Sequence, residues 1–131
     1  MGDLDAAVSY WVGIADYDLE TAEAMLMTQR YLYVGFMCHH TVEKLLKAYY
    51  VRTTNDTPPY THNLSRLANL SGIYEGLSES QKDFLDILEP LNIEARYPTY
   101  KDMILKSLTT EKCELLISKT KELSKWTKNQ L

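Results

Sequence analysis

"HHTVEKLLKAYY", residues 39–50, decides how the chain is to be read. Cys38, Val42, Leu45 and Tyr49 recur at steps of three and four residues, which places them on one stripe of an α-helix and predicts that this stripe faces a core. His39 and Glu43 are one turn apart at the margin of that stripe, and His40, Lys44 and Lys47 lie on the far side. Glu43 precedes Lys47 by four residues, the favourable order for a weak helical ion pair of about 0.2–0.5 kcal/mol. The expectation is a helix with a core face, a solvated face and a charged seam between them.

The same periodicity extends in both directions. Residues 31–52 make one helix, with Phe36 and Leu46 also inward, and "TTNDTPPYTH" at 53–62 ends it, because paired prolines cannot continue a helical hydrogen-bond ladder. Upstream, Leu4, Val8, Trp11, Val12, Ala15, Leu19, Ala22 and Leu26 predict a helix over 3–28, broken at "TQRY" (28–31). In that helix Asp16, Glu20 and Glu23 read as its solvated side, and Gly13 as a point where another helix crosses closely. Downstream, 63–73 predicts a short helix on Leu64, Leu67 and Leu70 or Ala68. "SESQ" (78–81) is a start signal for a helix carrying Phe84, Ile87, Leu88, Leu91 and Ala95, kinked at Pro90. "RYPTY" (96–100) breaks the pattern, residues 101–107 add a turn or two, and "TTEKCELL" opens a last helix with Cys113, Leu116, Ile117, Thr120, Leu123 and Thr127 inward. No segment alternates as a strand would. The predicted fold is all-α: an antiparallel up-and-down bundle of four long helices plus a short one, forming one domain over 1–131.

Composition agrees. A 131-residue chain that is 45% hydrophobic and 24% charged is an ordinary globular sequence, and only five Gly and four Pro leave long helices uninterrupted. A net charge of −4 argues against coating nucleic acid by bulk electrostatics and leaves room for a local basic pocket. There is no apolar run of about 20 residues to span a membrane and no secretory signal, so a cytoplasmic protein without membrane association is expected. Cys38 and Cys113 both fall on apolar stripes and read as buried free thiols.

Several chemistries are disfavoured. His39, Glu43 and His62 offer at most a loose metal ligand set, with no H-E-x-x-H, and no metal is expected. Cys38 and His39 point about 100° apart on a helix, so they form no nucleophile–base pair. Glycine-rich phosphate loops and dinucleotide fingerprints are absent, and no cofactor is expected.

"ADYDLETAEAML", "YVGFMCHHTVEKLLKAYYV", "THNLSRL" and "EARYP" follow one another in an order and spacing that resemble the HEPN domain. "EKLLKA" (43–48), "THNL" (61–64) and "RYP" (96–98) are its most specific pieces, and the likeness runs from about residue 8 to about residue 125. The resemblance implies a four- or five-helix bundle that pairs as a homodimer, a nucleotide or RNA pocket, and a small nucleotidyltransferase partner in a toxin–antitoxin-like system. It does not carry over RNA cleavage. The ribonuclease branch has an Arg followed four to six residues later by His, whereas Arg96 here precedes "YPTYKDMILK" and no histidine follows His62. An RNA-cleaving toxin using His39 or His62 instead is the alternative.

A phosphate pocket would draw on the planar fork of Arg96 and the point charges of Lys44 and Lys47. His62, at a helix start, would add backbone amides, and Tyr97 and Tyr100, with Tyr60, offer rings for stacking on a base. Each has a plainer role open to it: Arg96 as partner of Glu43 or Glu94, the lysines as solvated charges, His62 as a helix cap, the tyrosines as packing or dimer contacts.

Overall fold

The computed structural model describes residues 2–93 and 97–131. Six α-helices appear among them: α1 (Gly2–Met27), α2 (Tyr31–Thr54), α3 (Leu64–Ser71), α4 (Glu79–Leu88), α5 (Pro98–Ser107) and α6 (Thr110–Gln130), with 3-10 turns at Ile73–Gly76 and Glu89–Leu91. No strand occurs among the described residues, so the all-α expectation holds.

Ion pairs fix the directions. Arg52, near the end of α2, binds Asp5, near the start of α1, at 2.9 Å, so these two helices run antiparallel. Lys121 binds Glu23 at 2.9 Å and Lys128 binds Asp16 at 2.6 Å, so α6 is antiparallel to α1 as well. The Tyr31 hydroxyl meets the Thr110 hydroxyl, joining the starts of α2 and α6, which therefore run in the same direction. Helix α2 is the hub: it packs on α1, α3 and α6 and touches α4, α5 and the turn at Glu89–Leu91. Its Val34, Cys38, Val42 and Leu46 join Leu64, Leu67, Phe84, Leu88 and the inner face of α6 in the main core. All six residues expected inward on the last helix are buried.

Three details differ from the spacing-based reading. The helix after Ser78 does not kink at Pro90 and continue; it stops at Leu88 and tightens into the 3-10 turn, because the proline ring cannot sit over a continuing α-helical carbonyl. Gly13 is exposed with nothing within 4 Å of where a Cβ would lie. The closely approached glycine is Gly35, whose Cβ would stand 3.1 Å from a Leu91 methyl carbon. Finally, Leu70 and Ile87 are about half exposed, leaving Ala68 rather than Leu70 to face the core.

Candidate functional site

The charged stripe of α2 is buried rather than marginal. His39 is 0% exposed, Glu43 1% and Lys47 8%. Glu43 Oε2 accepts from Lys47 Nζ at 3.0 Å and lies 3.5 Å from Lys44 Nζ, while Oε1 takes His62 Nδ1 at 2.8 Å. A single-helix view misses this burial, since the neighbours come from elsewhere: His62 reaches Glu43 from nineteen residues away, Glu89 approaches His39, and Trp11 of α1 lies under Lys47.

Asn63, not His62, caps α3: its side-chain oxygen accepts from the Arg66 amide at 2.9 Å, the reach an N-cap needs. This frees the preceding His62 to turn onto Glu43. The α3 start is tied a second time, to the carboxylate of Glu89, which accepts from the Leu64 amide at 3.1 Å. Glu89 also lies 3.9 Å from His39 Nε2, and Glu43 lies 3.9 Å from His39 Nδ1, so His39 sits between two carboxylates. Among the described residues neither of its ring nitrogens meets a hydrogen-bond partner in good geometry. The Tyr100 hydroxyl reaches the Pro90 carbonyl at 3.5 Å, so the start of α5 joins the same neighbourhood. Lys44 Nζ also lies 3.2 Å from His40 Nδ1, and Lys47 Nζ stands 5.5 Å over the Trp11 ring.

Electrostatics follow from this geometry. Burial alone would raise the Glu43 carboxyl, but Lys44, the His62 hydrogen bond and Lys47 outweigh it and hold it down at about 2. Burial lowers His39 to about 4, against the pull of Glu43, so its imidazole is neutral at pH 7. Because an ionised carboxylate only accepts, His62 donates through Nδ1. Its side chain is 57% exposed.

The sequence-derived candidates thus divide. Glu43, Lys44, Lys47, His62, His39 and His40 form one cluster, with Tyr100 linked through Pro90. Lys47 is committed to Glu43 and Trp11 and is nearly closed to solvent. Tyr60 and Tyr97 are exposed. Arg96 lies outside the described residues. Two participants escaped the sequence reading. Asp18, on the same helix as the solvated Asp16, Glu20 and Glu23, is half-buried, its carboxyl raised by burial and by Glu43 against the pull of Lys44. Its position midway between buried Ala15 and Ala22 was the available signal. Glu89 had none, since only the tertiary fold carries it to α3.

Burial pushes the Cys38 thiol up to about 12 and Cys113 to about 11, so both are free but unreactive near neutrality. Among the described residues no helix is long and apolar enough to cross a membrane, and no three His, Cys, Asp or Glu side chains are grouped to hold a metal ion.

Against known proteins, the family model for the HEPN domain matches residues 8–130. No curated protein and no solved structure matches the chain.

Proposed function

The chain belongs to the HEPN domain family, and on that premise we propose that it is a nucleotide- or RNA-associated interaction module. In this reading it forms a homodimer and works with a small nucleotidyltransferase partner in a toxin–antitoxin-like pair, without chemistry of its own. The family match supports a nucleotide- or RNA-related role in general, and the missing Arg–His spacing favours binding over cleavage.

The observation that carries the reading is the Glu43–His62 contact. A buried, ionised carboxylate holds an exposed imidazole beside Lys44, which keeps partial access to solvent. A phosphate approaching this edge meets His62 and Lys44. Arg96 is proposed to complete the contact, with Tyr97 and Tyr100 stacking on a base. Lys47 neutralises Glu43 from beneath and does not itself reach the ligand.

Calorimetric titration of ATP, and separately of a single-stranded RNA oligomer, tests this. Wild type should bind at least one of them, and Lys44→Ala with His62→Ala should weaken binding about tenfold or more. Equal affinities would end the proposal.

The second reading is metal-independent RNA cleavage, and one observation favours it. His62 donates Nδ1 to Glu43 while its side chain is 57% exposed, an arrangement that would orient a general base. Total RNA incubated with the protein and a chelator should stay intact under the first reading. Cleavage abolished by His62→Gln would establish the second.

A further inference from the structure

A groove of about 410 Å³ opens between α4, α5 and α6. Phe84 and Leu91 form its floor, Ile104 and Leu108 one wall, and Ile87 and Leu115, 49% and 54% exposed, its lip. The polar side chains lining it are Ser107, Lys112 and Lys119, and no carboxylate lines it among the described residues. The groove borders the Glu89–Leu91 turn through Pro90 and Leu91, but none of the charged side chains of the Glu43 cluster lines it.

The lysines of α6 differ by face. Lys121 and Lys128, towards α1, have carboxylate partners within the fold. Lys112 donates to the Ser107 carbonyl at 2.9 Å, and Lys119 lies 6.0 Å over the Phe84 ring. Neither forms an ion pair among the described residues. Seven residues separate these two cations, about 10 Å along the helix axis, or two turns.

An apolar trough flanked by two cations that have no ion-pair partner among the described residues is, at that spacing, complementary to a helix with an apolar stripe and two acidic residues two turns apart. We propose that this groove docks an acidic amphipathic helix of a protein partner. Its apolar side chains fill the trough between Ile87 and Leu115, and its carboxylates meet Lys112 and Lys119. A single-headed fatty carboxylate satisfies only one of the two lysines, which favours the helix. The inference does not depend on the nucleotide reading, and either can fail alone.

The test uses the full chain and two fluorescein-labelled 18-residue helical peptides. They share a leucine stripe and differ in carrying Glu or Lys beside it. By fluorescence anisotropy the Glu peptide should bind wild type at least tenfold more tightly than the Lys peptide. Lys112→Glu with Lys119→Glu should invert that order, Lys112→Gln with Lys119→Gln should abolish it, and Leu115→Asp should weaken the Glu peptide. Circular dichroism checks that each variant is folded. Absence of Glu-peptide binding, or a preference unmoved by the lysine substitutions, overturns the proposal. So does displacement of a fluorescent fatty acid by dodecanoate when the Glu peptide does not bind, which would assign the groove to a lipid.

Discussion

A carboxylate as enclosed as Glu43 remains ionised only where cations and donors replace the water it has lost. Lys47, Lys44 and His62 do this, so removing the charge while leaving Lys47 buried should be costly. Glu43→Gln is expected to destabilise the fold by about 3–5 kcal/mol, and adding Lys47→Met should restore much of that, both read by urea unfolding. The same residues set the acid response. The imidazole of His39 is held below its ordinary 6.5, at about 4, so the unfolded chain binds the extra proton between these values and stability falls as pH drops through that window. Glu43, held below its ordinary 4.5 at about 2, removes more stability as pH falls from 4.5 towards 2. The urea midpoint should therefore decline from about pH 6.5 downward. His39→Phe should flatten only the upper part of that decline; an unchanged upper part would mean that His39 is not the group titrating there. The residue types of this cluster were legible in "HHTVEKLLKAYY". Their burial was not, because the groups that approach them, His62, Glu89 and Trp11, come from other elements.

At the level of elements the spacing arguments served well wherever a helix makes its own stripe. All six inward residues named on α6 are buried, and the break at 28–31 falls where α1 gives way to α2. They served less well where a neighbour decides. Pro90 ends a helix that apolar spacing alone would carry to Ala95, and the resulting 3-10 turn is what lets Leu91 close on Gly35 and Glu89 reach α3. Gly13 illustrates the opposite case. With no neighbour requiring the missing side chain, Gly13→Ala should stabilise α1 by about 0.5–1 kcal/mol through helix propensity. A raised thermal midpoint would show this; a lowered one would mean that something packs on that face.

For the whole molecule, α2 lies among α1, α3 and α6, and its most polar stretch is also its most enclosed. The helix directions that achieve this follow from pairs such as Arg52 with Asp5 and Lys128 with Asp16, whose partners no local pattern identifies. Fold class and family were therefore readable from the chain, whereas the joining of α2, the α3 start and the turn at Glu89–Leu91 into one site was not. Within it, the tie between α2 and the α3 start is His62 donating to Glu43. Nitrogen-15 NMR of the imidazoles at pH 8 measures it directly. His62 should be the Nδ1–H tautomer in wild type and lose that preference in Glu43→Gln. A His62 ring in the Nε2–H form, unaffected by Glu43→Gln, would contradict the account.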